Sequence, residues 1–294
     1  MKKINLIYWD EDNFGDALNP VLVEELSGRP TQYKDVNLSI ADRRAIVLNS
    51  IKEWNFKAFH TILFPWQSVL ACIGSIISWL PKNATVWGAG FMNAHEQFRG
   101  GTTLAVRGRL TDEKLQAEGY AACGIYGDPA LLLPLWMKPT VQKVHKLGLI
   151  PHWKEVDYFI EHYGSQYHII DLRTRDIEKV VNEISSCEYI LSTSLHGVIV
   201  AHAYEVPALW IKKGYIDTDG FKFHDYFSSV DIPFYDGFEH FEQMLTEGEG
   251  WKVLFDEHKD KAGLNNSLKD IQKGLLKAAP FPLKEKYRQW TSST

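Results

Sequence analysis

The run Ser192-Thr193-Ser194-Leu195-His196-Gly197 lies between two apolar segments and restricts the fold more than any other stretch of the chain. Before it, Glu188-Tyr189-Ile190-Leu191 reads as a short buried strand. After it, Val198-Ile199-Val200-Ala201-His202-Ala203 is small, largely apolar and helix-compatible. Pro207 marks the point by which that helix has ended, because a proline ring and the residue ahead of it both resist helical geometry. Ala208-Leu209-Trp210-Ile211 then reads as the next strand. Strand, polar turn, helix, strand is a βαβ unit, and its polar turn sits at a helix N-terminus, where free N–H groups favour an anion. His196 in that turn can add positive charge or a proton. The competing reading is that Ser192 or Ser194 caps the helix and His196 fills space.

The same alternation runs along the chain, as in open parallel sheets covered by helices. Strands are expected at residues 4–9, 61–64, 68–73, 85–87, 103–106 and 124–126, with 68–73 equally able to begin a helix running to 80. Helices are expected at 20–26 and 112–118. Residues 133–146 carry two prolines and three lysines and read as a linker. Strands at 147–150 and 168–171 and a helix at 176–185 lead into the βαβ unit, and a last helix covers 266–278. The fold class is therefore α/β, with two Rossmann-like αβα domains, 1–140 and 141–294, facing each other across a cleft.

Composition narrows the function. At 294 residues, 45% hydrophobic and 23% charged, the chain can bury a sizeable core. A net charge of −5 argues against a general nucleic-acid binder, which needs a basic face. Cys72, Cys123 and Cys187 are too scattered for a disulfide framework or a zinc site and fit a reducing cytoplasm. The first residues show no signal-peptide pattern. Residues 58–81 lack charged side chains but contain His60, Pro65, Gln67 and three serines, so no membrane span is expected there.

Ligands gather at the carboxyl ends of strands in such sheets, and several strand ends here are polar or glycine-rich. Asn13-Phe14-Gly15-Asp16 follows the first strand; Gly15 permits a tight turn or a close backbone approach, and Asp16 either caps a helix or faces a ligand. Gly74-Ser75 and Gly88-Ala89-Gly90 follow later strands. Arg107 stands at another strand end, where its planar fork would either clamp a carboxylate or phosphate or pair with a neighbour such as Glu113. His152 lies just past a strand. In Gly220-Phe221-Lys222-Phe223-His224-Asp225-Tyr226, a helical turn would place Lys222 and Tyr226 on one face. Asp10-Glu11-Asp12 and Asp217-Thr218-Asp219 have spacings a metal could use, but three-residue matches arise by chance. The residues point to an anion held by Arg, His and backbone amides, with no metal and no cofactor.

Taken in order, Asn13-Phe14-Gly15-Asp16, Gly74-Ser75, Gly88-Ala89-Gly90, Val106-Arg107-Gly108, Gly127-Asp128-Pro129-Ala130, Ile150-Pro151-His152 and Ser194-Leu195-His196-Gly197 with Ala203 and Pro207 resemble the polysaccharide pyruvyl transferase family. Many members carry arginine ahead of the Leu-His pair, where this chain has Ser194. The resemblance implies a glycosyltransferase B-like architecture, phosphoenolpyruvate as donor, and a saccharide acceptor that is lipid-linked at the cytoplasmic face of the membrane. Implied catalytic residues are His196 (acid or phosphate ligand), Arg107 (anion clamp) and His152. Implied substrate contacts are Asn13, Gly15, Asp16, Ser75, Gly90, Asp128, Ser192, Ser194, Lys222 and Tyr226. Two other functions compete: a nucleotide-sugar glycosyltransferase, and a non-catalytic sugar-binding module for which 10 Trp and 13 Tyr offer stacking surfaces. The tail 282–290 mixes three cations with Tyr287 and Trp290, so it reads either as a weak contact with anionic membranes or as a solvated or packed terminus.

Overall fold

Short apolar strands separated by helices pair in parallel, and this chain forms two such sheets. A computed structural model describes residues 3–292 apart from Tyr215 and Glu247. In the first sheet, β1 (Ile4–Leu6), β2 (Thr31–Tyr33), β3 (Val69–Ala71), β4 (Ala84–Trp87) and β5 (Thr102–Ala105) lie in the order β2-β1-β3-β4-β5. In the second, β6 (His145–Ile150), β7 (His168–Ile169), β8 (Cys187–Ser192) and β9 (Ala208–Trp210) lie in the order β7-β6-β8-β9. Every pairing within them is parallel, and Ile190 of β8 aligns with Gly148 on one side and Ala208 on the other.

The helices are α1 (Phe14–Ser27), α2 (Ile40–Lys52), α3 (Arg109–Ala117), α4 (Val156–Tyr163), α5 (Ile177–Ser185) and α6 (Leu195–Ala203). They continue with α7 (Phe221–Ser229), α8 (Phe241–Thr246), α9 (Gly250–Glu257), α10 (Leu268–Lys277) and α11 (Glu285–Ser292). Side chains alternate faces along a strand, so each sheet contributes to two cores. Leu70 and Cys72 face one layer while Val69 and Ala71 face another. In β8, Ile190 and Leu191 divide in the same way. The layer holding Leu70, Cys72 and Ile190 is shared by both sheets. It is filled by Leu18 and Leu22 of α1, Val181 of α5, Val198 and Ile199 of α6, Leu275 of α10, and Leu131 and Leu132 of the 3-10 segment Pro129–Leu135. This common core fixes the carboxyl ends of the two sheets relative to each other.

Helix α1 starts at residue 14, well before the expected 20. Asn13 caps it by accepting a hydrogen bond from the Asp16 N–H (3.3 Å). Pro20 inside the helix cannot donate to the carbonyl four residues earlier. Asn19 fills that gap: its Nδ2 donates to the Asp16 carbonyl (3.1 Å) and to the Ile73 carbonyl (3.1 Å), and its Oδ1 accepts from the Ile73 N–H (2.9 Å). The loop after β3 is thereby tied to the first turn of α1. Asn19→Leu would leave those buried backbone groups unpaired and should destabilise the protein by about 1–3 kcal/mol, read as a lower urea midpoint.

Other expectations changed at segment level. Residues 68–73 form a strand and not a helix. At 61–64 the chain makes a 3-10 turn, Ala58–Thr61, and then one bridge from Ile62 to Asp35; 124–126 reduces to a bridge between Tyr126 and Val106. The final segment returns to the first sheet. Trp87 Nε1 donates to the Leu275 carbonyl (2.9 Å), the Lys284 N–H to the Leu26 carbonyl (2.8 Å), and the Tyr287 hydroxyl to Glu25 (2.6 Å). Lys284 and Lys286 pair with the same Glu25, and Tyr287 is 2% exposed. The tail is a packed terminus. Among the described residues, no helix is long and apolar enough to cross a membrane.

Candidate active site

A pocket opens where the strand ends of both sheets meet. It is lined from the first sheet by Trp9, Asn13 and Asp16 after β1, by Gly74, Ser75, Ile76 and Trp79 after β3, and by Met92 after β4. The second sheet adds His152 and Trp153 after β6, Leu172 after β7, and Ser194, Leu195 and His196 after β8; Lys222 reaches in from α7. Of the residues expected from sequence, Asn13, Asp16, Ser75, His152, Ser194, His196 and Lys222 thus share one wall-to-wall site.

The turn after β8 shows why that sequence suits an anion. Ser192 is buried and spent on the turn itself: its hydroxyl donates to the Ile150 and Ser194 carbonyls (both 2.8 Å) and accepts from the Ser194 N–H (3.0 Å). Ser194 is the N-cap residue of α6, yet no side chain caps the helix. The first turn of α6 therefore presents uncapped N–H groups beside the pocket. Neither serine caps it.

Around this helix end Lys222, His196 and Asp16 meet in one pocket. Lys222 is 6% exposed, and its ammonium has no hydrogen bond or ion pair among the described residues. Burial, then the Arg107 guanidinium, push its pKa down to about 8. His196 sits against the first turn of α1, where a Cβ on Gly15 would overlap its ring. Gly15 thus serves a close approach, while its position in α1 puts it behind the pocket lining. Burial first, then Lys222 and Arg107, hold the His196 pKa down at about 3. Its Nε2 is shielded from solvent and has no partner among the described residues. A neutral ring at pH 7 holds no imidazolium proton to give, so the empty site does not poise His196 as an acid. Asp16 is the opposite case. Burial raises its carboxyl to about 7 against a hydrogen bond from the Trp9 N–H (3.0 Å), with Asp10 adding to the rise.

Gly15→Ala should displace the imidazole. A shift of about 1 Å in a reacting group can cost roughly 10²-fold, so any activity that uses His196 should fall on that scale with circular dichroism unchanged.

Arg107 occupies a different place from either sequence reading. It is fully buried behind Ser75, with Nε donating to Asp225 (2.9 Å), Nη1 to the Ser75 hydroxyl (2.6 Å) and Nη2 to the Phe91 carbonyl (2.5 Å). Asp225 also accepts from the Thr111 N–H (2.8 Å) and hydroxyl (2.7 Å). Gly90 backs this cluster: a Cβ there would press on the guanidinium. Asp128 caps the 3-10 segment through the Ala130 N–H (2.9 Å); burial raises its carboxyl to about 7, and its Oδ2 is unpartnered. Tyr226 shares α7 with Lys222, as the spacing predicted, but is fully buried against His202 (3.0 Å). Gly90, Asp128, Ser192 and Tyr226 therefore lie outside the pocket lining, where packing and backbone satisfaction occupy them.

Sequence reasoning passed over Thr193 and Glu155. Thr193 accepts from the His152 N–H (2.6 Å) and donates to Glu155 (2.5 Å), which fixes the His152 turn to the β8 turn. His152 has its pKa lowered to about 4, by burial and then by Lys222 and Lys154. Also unforeseen were Trp9, Trp79 and Trp153 at the mouth, with Trp9 and Trp153 in contact from opposite sheets (5.6 Å between ring centroids). The Asp-x-Asp carboxylates are engaged elsewhere: Asp10 and Asp12 hold Arg175, Asp217 pairs with Lys154, and Asp219 accepts from the Ala94 N–H.

Two parallel sheets with a pocket at their joined carboxyl ends, lined by Lys222, His196 and the first turn of α6, define an α/β protein. The family profile described as polysaccharide pyruvyl transferase matches residues 13–212, which includes almost all of that pocket, and the chain belongs to this family. It is 28% identical over 170 residues to the uncharacterized protein L143 of Acanthamoeba polyphaga mimivirus, covering 54% of this chain and 59% of that protein. It is 26% identical over 136 residues to the succinoglycan biosynthesis protein ExoV of Rhizobium meliloti, covering 44% of this chain and 41% of that one. The matches thus span about half the length of these curated relatives. No solved structure matches significantly.

Proposed function

We propose that this protein transfers pyruvate from phosphoenolpyruvate to two hydroxyls of a saccharide, forming a cyclic ketal. The observation that carries the reading is Lys222, a largely buried lysine whose ammonium has no hydrogen bond or ion pair among the described residues, in the same pocket as the uncapped N-terminus of α6. A buried unpaired charge is costly unless a ligand compensates it. The donor's phosphate and carboxylate supply that compensation, and membership of the family supports pyruvyl transfer as the reaction. In this reading the two sheets belong to Rossmann-like halves of glycosyltransferase B type, divided near residue 140, and the pocket is the floor of the cleft between them.

The reaction moves a proton to the donor's methylene carbon and leaves the adjoining carbon electrophilic. One sugar hydroxyl adds there and loses its proton; the bond from carbon to the phosphate oxygen breaks; a second hydroxyl takes its place. One hydroxyl proton restores the acid and the other leaves with phosphate. Asp16, titrating near neutrality, is the acid in this scheme. Lys222, the α6 amides and the Ser75 and Ser194 hydroxyls hold the donor. His196 is neutral until the donor arrives, and the donor's negative charge offsets the cations that weaken it as a base. Arg107 acts through Ser75 as a positioning residue. Trp9, Trp79 and Trp153 offer faces on which the acceptor can stack. A lipid-linked acceptor at the cytoplasmic membrane face is consistent with ExoV's role in succinoglycan biosynthesis.

The donor is tested by thermal shift. Phosphoenolpyruvate at about 100 times its Kd should stabilise the protein by about 2.7 kcal/mol, and a nucleoside diphosphate should not. Stabilisation by the nucleotide alone would favour a nucleotide-sugar glycosyltransferase. The pH profile tests the roles. Asp16 must hold a proton and Lys222 its charge, so kcat/KM should fall above about pH 7 and more steeply above about pH 8. Asp16→Asn should abolish transfer; a flat profile through pH 9 would remove both assignments.

A further inference from the structure

Much of the exposed apolar surface is concentrated in one segment that the pocket does not use. On α2, Ile40, Leu48 and Ile51 are exposed, and just beyond it Trp54 and Trp66 are 82% and 79% exposed. Helix α2 buries only Ser50, so it gains almost nothing from the core and relies on its capping box between Ser39 and Asp42. After it, five rings form a continuous ladder: Trp54 to Phe56 (5.9 Å), Phe56 to Phe59 (6.3 Å), Phe59 to Phe64 (5.7 Å), and Phe64 stacked on Trp66 (4.8 Å). Ring faces at the two ends of that ladder meet solvent.

The charges beside it are left with an excess of cations: of the exposed groups without an ion pair among the described residues, Glu53 is set against Arg44, Lys52 and Lys57. Arg43 turns inward to the Leu38 and Leu63 carbonyls, and Asp42 is consumed by the cap. Arg44, Lys52 and Lys57 have no ion-pair partner among the described residues, and all three are exposed. Ile40, Arg44, Leu48 and Lys52 recur every fourth residue, so cations and apolar side chains alternate down one face of α2. In a chain of net charge −5, this is a local cationic surface studded with tryptophan. Tryptophan favours the boundary between hydrocarbon and water, and lysine and arginine favour anionic headgroups.

We propose that α2 and the aromatic ladder after it form a docking surface for an anionic lipid bilayer. A second copy of the chain fits the face less well, since a twofold interface would set one patch with an excess of cations against another.

The test uses the full chain and needs no catalysis, so its outcome is separate from that of the pyruvyl-transfer reading. In sedimentation assays the protein should bind vesicles of phosphatidylcholine mixed with phosphatidylglycerol, bind phosphatidylcholine alone far less, and be released by salt. Each cation near an anionic surface is worth about fivefold in partition, so R44Q/K52Q/K57Q should weaken binding roughly a hundredfold. Trp54→Ser with Trp66→Ser should weaken it at every salt concentration. Both variants should keep the wild-type Tm, because the altered side chains are exposed. The proposal is overturned if the wild type ignores anionic vesicles, if the variants bind as it does, or if the wild type is a dimer that the variants dissociate.

Discussion

Asp225→Ala should lower the unfolding free energy by about 3–5 kcal/mol, the usual cost of removing one member of a buried ion pair. Arg107 would remain fully buried while losing its charge partner, and the Thr111 N–H and hydroxyl would lose their acceptor as well. The pair is more than a local contact. Arg107 ends the first sheet's β5 segment, Asp225 lies on α7, and the Gly108 backbone packs directly on the Asp225 carbonyl. Urea denaturation reads the loss. Arg107→Met with Asp225→Leu should regain much of it, since apolar replacement of a whole buried pair is often tolerated. That double variant should still transfer poorly, because Ser75 would lose the donor that orients it. Arg109, paired with Asp231 at the surface, should cost less than about 1 kcal/mol when changed to alanine. A loss at Asp225 as small as that one would contradict the latch.

Lys222→Met should cost about 10²–10³-fold in kcat/KM for the donor, the scale of losing one preorganised donor to developing or bound negative charge. Its stability should move the other way. The lysine is largely buried and its ammonium has no hydrogen bond or ion pair among the described residues, so methionine removes a partly desolvated charge and fills the same space. Displacement of its pKa from 10.5 to about 8 corresponds to about 3 kcal/mol at most. Because the folded-state value is depressed, the wild type carries the whole penalty below pH 8 and sheds it as pH rises from about 8 towards 10.5. The variant's advantage in Tm should therefore be largest below pH 8 and shrink above it. Lower activity with higher stability separates a ligand-binding cation from a structural one; a Lys222→Met protein that unfolds early would show that the lysine serves packing.

The fold was legible wherever one segment carried its own signal. The β8–α6–β9 unit was readable because apolar strand, polar turn and apolar helix follow one another without interruption, and α5 and α10 because their apolar residues keep helical spacing. Strand β2 and helix α2 were not. Thr31-Gln32-Tyr33 has no apolar run, and α2 buries a single residue, so neither leaves a hydrophobic pattern. Pro20 hid the start of α1, since its cost is compensated by Asn19 from the preceding position.

The site was legible as a set of strand-end residues and illegible as chemistry. Sequence could place His196 in a polar turn and Lys222 on an aromatic helical turn, but not the burial that makes one neutral and leaves the other short of a hydrogen-bond partner. It could not pair Arg107 with Asp225, 118 residues apart. Nor could it choose between Asp16 as a cap and Asp16 as a pocket residue: Asn13 supplies the cap, and burial raises the Asp16 carboxyl towards neutrality.

We propose that the unpaired Lys222 and the bare end of α6 hold phosphoenolpyruvate for transfer of its pyruvyl group to a sugar. The most direct measurement incubates the protein with phosphoenolpyruvate and a panel of glycosides and reads both mass and released phosphate. The expected product is a glycoside heavier by one pyruvate less one water, with one phosphate released for each, and with neither formed by Lys222→Met. Phosphate release without a modified sugar, or a sugar that gains mass only from a nucleotide-sugar donor, would contradict it.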